Sequence, residues 1–470
     1  MNTYLFYDLE TSGLNPCFDQ VYQFAAIRTD MDLNPIEEIE IEVRPTKDII
    51  PSPMAMVTHQ LSLAELATGI SEADAIEKIH AILNKPGTIS LGYNTLTFDD
   101  EFLRFNFHRH LLTPYTHQFK DNCGRMDIYP MLVFYFLYRP DCLNWPELNG
   151  KISLKLEHLS RLNQLAEGQA HHAMVDVRAT LALAELLKMD EEVWEYLLGF
   201  FNKAIEQERH QSLADIKIAG QNLKSGLMID PKMGVTAKFQ APVITLGQHR
   251  HYKNQMCWLR LDQDLTTSTE QDIIERVWII NKKWGEAPFI LPLKPRFIQY
   301  SNECAEIYQN NLRFFEAHPN LFKIIQEHAL EYKHPNQPNT DVDAALYQLG
   351  FMSAQDEQLC RKIHSSKPQE KSDLKDKFLS DDLKTIAHRY LGRFYFESLS
   401  QKDQLKFEDY LAQVYEQEHP VITDYKAKPK LLRIPALKEI DILMQNETFC
   451  SVQQECLKNL KAYLENLHTL

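Results

Sequence analysis

The chain of 470 residues has no paired C-x-x-C motif; its eight cysteines are scattered at 17, 123, 142, 257, 304, 360, 450 and 456. That scatter argues against a zinc cage and against a disulfide framework, and it suits a reducing cytoplasm. No apolar run approaches the roughly 18–20 residues of a membrane span. The opening residues, MNTYLFYDLE, carry no basic leader and no apolar stretch with a small-residue cleavage site, so no signal peptide is expected. Internal repeats and low-complexity tracts are missing as well. What remains is the composition of a globular protein, 44% hydrophobic and 24% charged. At this length one ordinary core does not suffice, and two or three domains are expected.

Charge of one sign is missing locally. The net charge is −15, which at first argues against a polyanionic partner. Residues 1–190 hold most of it, at −11, against −1 for 191–340 and −3 for 341–470. Residues 231–260 hold Lys232, Lys238, Arg250, Lys253 and Arg260 and no acid at all. An acidic first segment is thus followed by a mildly basic stripe.

Residues 1–190 alternate between two periods. TYLFYDLE, VYQFAAIRTD and IEEIEIEVRP read as strands, and GTISLGYN as a buried strand ending in a polar turn. Residues 62–85 have helical spacing broken near Thr68-Gly69; DDEFLRFNFHRHL and AMVDVRATLALAELLK are further helices. This mixture predicts an α/β domain with a mixed sheet over 1–190. Short strands in GVTAKFQAPVITLG, MCWLRLD, RVWIINKKW and APFILPLKP predict a small β-rich domain over 195–335. HPNQPNTD (334–341) reads as a linker. Residues 342–470 read as mostly helical, including DAALYQLGF, LKTIAHRYLGRFYFESL, QLKFEDYLAQVYEQ and VQQECLKNLKAYLENL. The run 371–384 reads as a solvated helix or loop of mixed charge.

Against this background, FYDLETSGLNP stands out, with two acids inside a strand that is otherwise apolar. Burying a charge costs several kcal/mol unless something pairs with it. Asp8 and Glu10, two residues apart on a strand, point to the same face. Asp99 follows a strand-to-helix turn, with Asp100 beside it as the alternative; whichever is not a ligand reads as a helix N-cap or surface acid. Asp176 sits on an Ala-rich helix, with His171 and His172 at its start. Asp127 reads as a polar strand-end residue. Four converging carboxylates repel one another unless cations lie between them. Oxygen-only ligands suit Mg²⁺ or Mn²⁺. Two such ions are the usual device for in-line attack of water on a phosphodiester, with a histidine to take the proton.

The ordered set D-x-E-T, N-x-x-x-F-D and H-x4-D resembles the DEDD exonucleases of the RNase H-like superfamily, and His171 fits the DEDDh type. His172 occupies the position where another subclass has tyrosine, so the proton acceptor is His171, with His172 as the alternative. The strings QFAAIRTD, LGYN-x-x-x-FDDE, NWPE, LEHL and the long C-terminal segment resemble the bacterial exodeoxyribonuclease I family over essentially the whole chain. That resemblance implies an exonuclease domain, a small SH3-like β-barrel domain and a helical C-terminal domain, acting as a monomer. It implies release of 5′-mononucleotides from 3′ ends of single-stranded DNA with Mg²⁺, in repair or recombination. The implied catalytic set is Asp8, Glu10, Asp99, His171 and Asp176, the four acids being the metal ligands. Lys155 stands where the family often has an arginine, and it keeps the charge but loses bidentate geometry. Arg139 and Tyr196 match positions that bind the acidic C-terminal tail of single-strand DNA-binding protein.

In the basic stripe, Lys238, Arg250, Tyr252 and Lys253 are the candidate DNA contacts, because aromatics that stack bases beside cations hold single strands without sequence preference. The competing reading is that Phe239, Tyr252 and Trp258 are core and the cations a solvated face. Two other functions compete with the reading as a whole: RNA trimming by the same chemistry, and a binding protein with a degenerate site.

Overall fold

The computed structural model describes residues 2–166 and 172–467. The chain divides into two compact units. One comprises Met1–Arg125, Ala166–Ala179 and Asn336–Leu470, the other Met126–Leu165 and Thr180–Pro335.

The first unit is built on five strands, β1 (Thr3–Thr11), β2 (Val21–Thr29), β3 (Pro35–Glu42), β4 (Thr88–Leu91) and β5 (Gly124–Arg125), in the order β3-β2-β1-β4-β5. β1 pairs antiparallel with β2, and β2 with β3, while β4 runs parallel to both β1 and β5. The sheet is therefore mixed, as the alternation of periods predicts. Parallel neighbours need crossovers, and the helices Glu72–Leu83 and Asp99–Arg109 lie in them. The predicted break at Thr68-Gly69 falls between the helices Leu63–Leu66 and Glu72–Leu83, the second N-capped by Ser71. A Cβ on Gly69 would lie 2.6 Å from the Glu42 carbonyl oxygen, so only glycine lets the chain turn there. Leu5, Tyr7, Leu9 and Phe24 pack with Ile76, Ile79, Phe102 and Phe107 under the sheet.

The C-terminal helices share a core with this region. Cys17, Phe18 and Tyr22 cluster with Phe407, Leu411, Leu457 and Leu464. A buried ion cluster reinforces the join. Arg393 donates to Asp48 at 2.9 Å and to Asp343 at 2.5 Å, and Arg389 grips Asp341 through both terminal nitrogens. Segments 1–190 and 342–470 thus differ from each other in sequence character yet belong largely to one compact body. The predicted helix over 343–351 does not form. A short 3-10 turn, Val342–Ala344, is capped by Asp341, and Gly350 then takes a left-handed conformation. Recruitment of Asp343 into the ion cluster holds that backbone in a turn. Nor is 371–384 simply solvated. Lys371 and Lys375 on the helix Pro368–Lys375 are buried, and Lys371 donates to the Ile363 carbonyl at 2.5 Å.

In the second unit a small hairpin, β6 (Glu147–Leu148) with β7 (Lys151–Ile152), precedes a sheet of β8 (Asp215–Ile218), β9 (Gln221–Ile229), β10 (Gln240–Gln248), β11 (Gln255–Arg260), β12 (Ile279–Lys283) and β13 (Phe289–Leu291). Its order is β12-β11-β10-β9-β13, with β8 on the first half of β9. The β8–β9 hairpin turns on Ala219 and Gly220, both at positive φ, a two-residue turn whose twist matches the strands. The region is not purely β. Helices Asn302–Ala317 and Pro319–Glu331 cover the sheet, with Tyr308, Phe315, Phe322 and Ile325 against Leu246, Cys257 and Leu259. Asp127 proves to be a helix N-cap, accepting from the Tyr129 backbone N–H, because a helix, Ile128–Tyr138, starts there rather than a strand ending.

Candidate active site

β1 carries Asp8 opposite Ala25 and Glu10 opposite Gln23. The register slips after Glu10, and the strand closes where the Thr11 hydroxyl donates to the Gly13 carbonyl at 2.7 Å. Gly13 is required because a Cβ would meet the Asp19 carboxylate at 2.4 Å. That carboxylate accepts from the Asn15 backbone N–H at 2.7 Å, which shapes the loop after the two acids. Asp176 comes from the helix Ala173–Lys188. Gln23, fully buried in β2, ties the start of this helix to the sheet. Its carbonyl oxygen accepts from the Ala173 N–H at 3.1 Å, and its amide donates to Glu40 at 2.9 Å.

The result is a cluster in which carboxylate oxygens of Asp8, Glu10 and Asp176 all lie within 4.8 Å of one another. Burial, and then the charges of Asp99, Glu10 and Asp176, push the Asp8 carboxyl well above the ordinary range. Burial, Asp176 and Asp99 raise Glu10 to about 9. Among the described residues, every neighbouring charge that shifts these two is another carboxylate. Such a set of hard oxygen donors, held together against its own repulsion, fits a divalent cation. Asp99, buried in the first turn of its helix, acts on both acids electrostatically but lies outside the three-residue group.

Asp100 differs from its neighbour. It is buried and bound by Arg104 at 2.7 Å, by Arg125, and by His117 at 3.0 Å. Burial alone would raise it, but the two arginines hold it well below the usual carboxylate range. It is thus neither a surface acid nor an N-cap: its charge is already neutralised inside the protein.

His171 lies outside the described residues. His172 is half-exposed, with its Nε2 3.8 Å from Glu40 and 3.5 Å from the Gln23 amide, and its carbonyl accepts the first N–H groups of the Asp176 helix. In the second unit, Lys155 is 72% exposed and 3.7 Å from Glu157. Arg139 donates to Asp190 at 2.7 Å and to the Tyr138 carbonyl at 2.9 Å. The Tyr196 ring is covered by the Arg209 guanidinium at 4.3 Å. Lys238 and Lys253 are exposed; Arg250 is paired with Glu331, and Tyr252 packs on His249, ring centroids 4.6 Å apart. Phe239 and Trp258 are core, so for them the competing reading is correct.

Gln23 and Glu40 escaped the sequence reading. The available signal was a single amide in a strand buried at every position, since a buried amide must find partners.

Comparison with known proteins agrees with this geometry. The family described as Exonuclease matches residues 5–184, and that described as Exonuclease I C-terminal domain matches 340–467. Exodeoxyribonuclease I of Escherichia coli (strain K12) is 28% identical over 444 residues, 89% of this chain and 90% of the relative. That of Haemophilus influenzae is 27% identical over 436 residues, 87% and 89%. The crystal structure of E. coli Exonuclease I in complex with a dA16 oligonucleotide superposes with a TM-score of 0.85 at 26% identity, covering 100% of both chains. A moderately thermophilic Exonuclease I from Methylocaldum szegediense gives 0.82 at 26%, covering 99% and 100%. Fold and acid cluster together define a metal-dependent nuclease of the RNase H-like exonuclease class. Within that class, the chain is similar over its whole length to exodeoxyribonuclease I, the C-terminal match and the full-length superposition setting it apart from exonuclease domains at large.

Proposed function

We propose that this protein is a 3′→5′ exonuclease that degrades single-stranded DNA to 5′-mononucleotides, with a role in DNA repair or recombination. The observation that carries the reading is the cluster of Asp8, Glu10 and Asp176, three carboxylates gathered within 4.8 Å from a strand and a helix. With Asp99 they would hold two Mg²⁺ ions, for which Mn²⁺ can substitute; bound there, the metal supplies charge neutralisation and a water nucleophile at neutral pH. His171 takes the proton from the attacking water. Water adds to the terminal phosphorus, the bond to the 3′ oxygen of the preceding nucleotide breaks, and the phosphate leaves on the 5′ carbon of the released nucleotide.

The same reading assigns 1–190 to catalysis, with Lys155 as a DNA contact there, 195–335 to DNA binding through Lys238, Arg250, Tyr252 and Lys253, and 342–470 to a helical C-terminal domain. Arg139 and Tyr196 are proposed for the acidic tail of single-strand DNA-binding protein, whose carboxylate would have to displace Asp190 from Arg139. A cytoplasmic monomer is expected; among the described residues no helix is long and apolar enough to cross a membrane.

The test is cleavage of end-labelled single-stranded DNA, duplex DNA and RNA, with Mg²⁺ or EDTA. Stepwise shortening from the 3′ end of single-stranded DNA, with metal only, supports the proposal. Preferred degradation of RNA would move the protein to RNA trimming, and binding without cleavage would make it a binding module.

A further inference from the structure

In the first unit a cavity of about 490 Å³ lies beside the turn that follows Asp8 and Glu10. Its walls include Leu14 and Asn15, four and five residues beyond Glu10, and Thr97 and Phe98, which immediately precede Asp99. The opposite wall is a C-terminal loop carrying Lys426 and Lys428.

This loop is held in shape by its own hydrogen bonds. The Asp424 side chain accepts from the backbone N–H groups of Lys426 and Lys428, both at 2.8 Å, and from the Asn15 side chain at 3.1 Å. Ala427 sits in the left-handed region at φ 59°, which closes the turn. Three of the four lining acids are engaged, Asp424 as just described, Asp19 by the Asn15 N–H, and Glu101 by the Tyr425 hydroxyl at 2.8 Å; the fourth, Glu439, is half-buried. Both lysine side chains are exposed, and among the described residues neither ammonium forms an ion pair; Lys426 lies 4.9 Å from the centre of the Tyr425 ring.

We infer that Lys426 and Lys428 bind a backbone phosphate of the single strand close to the scissile bond. Residues 1–190 have 26 acidic against 15 basic side chains and repel a polyanion. A substrate drawn to the carboxylate cluster needs positive charge beside it, and this loop provides two unpaired ammonium groups on a rigid turn. A phosphodiester is the ligand that suits them, because Lys binds phosphate as a point charge without demanding one orientation. The inference rests on the proposed action on single-stranded DNA, and it gives the C-terminal segment a direct part in holding substrate.

The test measures binding of a single-stranded oligonucleotide by fluorescence anisotropy in EDTA over a series of salt concentrations. Each phosphate of a single strand that the protein no longer neutralises lowers the slope of log K against log salt by about 0.7. The double variant K426Q/K428Q, which gives up that one phosphate, should lower it by about 0.7 and raise KM, with kcat at saturating substrate within about twofold. K426R/K428R should restore the wild-type slope, and K458Q/K461Q on the last helix should leave it unchanged. An unchanged slope in K426Q/K428Q, with the thermal melt of the wild type, overturns the inference. So does a fall in kcat without a change in slope, which would mean that the loop only shapes the catalytic turn. Failure of the wild-type protein to cut single-stranded DNA under Mg²⁺ would instead overturn the proposed function, a result read separately from the salt slope.

Discussion

Asp99 and Asp100 are adjacent in the chain and both buried, yet they belong to opposite electrostatic arrangements. Asp100 is gripped by two arginines and a histidine, as Asp48 and Asp343 are gripped by Arg393. Asp99 instead adds its charge to that of Asp8, Glu10 and Asp176. The protein therefore solves the problem of the buried acid in two ways. Where the acid is structural, a cation is built into the chain. Where the acid belongs to the cluster proposed for catalysis, the charges that shift it are those of other acids, and a compensating cation would come from outside. Polarity and burial do not distinguish the two groups; the sign of the neighbours does.

The sharpest way to break the comparison is to remove one acid from the like-charged cluster. Asp176→Asn should lower kcat by at least about 10³-fold, several kcal/mol of lost transition-state stabilisation. In EDTA the same change should raise the melting temperature, because a repulsive charge is gone; a lower melting temperature would show that the cluster is not repulsive. Removing a cation from the other arrangement should do the reverse. Arg393→Ala leaves Asp48 and Asp343 buried without their partner and should destabilise the fold by about 3–5 kcal/mol in denaturant unfolding.

The two groups also answer pH with opposite sign. Asp48, Asp100 and Asp343 are held below their unfolded values despite burial, chiefly by Arg393 or Arg125. The stability they contribute is present above the unfolded pKa of about 4 and is lost as pH falls below it. Glu10, raised to about 9 by burial and its acidic neighbours, contributes in the metal-free protein below its unfolded pKa of about 4.3 and loses that contribution as pH rises toward 9. In EDTA, Glu10→Gln should therefore stabilise the protein more at pH 8 than at pH 5. A stability difference that does not change with pH would remove the contrast. The smallest expected effect is that of Gln23→Ala, which loses a buried hydrogen bond to Ala173 and a partly buried one to Glu40. It should cost about 1–3 kcal/mol and lower activity by displacing the helix that bears Asp176.

Much of this was legible from residue patterns. The period-2 strands, the helix break at Gly69 and the spacing of D-x-E, F-D and H-x4-D are local, and local sterics and side-chain direction decide them. The β8–β9 hairpin was missed although Ala219-Gly220 marked it, because β8 is only four residues long and β9 loses its alternation in the buried run Ser225–Ile229. The helix expected over 343–351 failed because Asp343 is drawn into a charge cluster formed by residues far away in the chain. Asp100 was misread for the same reason. Its partners Arg104, Arg125 and His117 are individually unremarkable in sequence, and only folding brings all three to one carboxylate.

The sequence by itself determined which side chains share a face, where strands stop and turn, and which ordered set of acids is available, because φ/ψ preferences and the 2.0 and 3.6 periods act over a few residues. The tertiary structure alone decided which acids meet each other and which meet arginine. It also decided that the C-terminal helices share a core with the catalytic sheet, and that Lys426 and Lys428 stand across a cavity from the turn before Asp99. Those outcomes depend on contacts between residues hundreds of positions apart, and Coulomb interactions follow distance in space rather than distance along the chain.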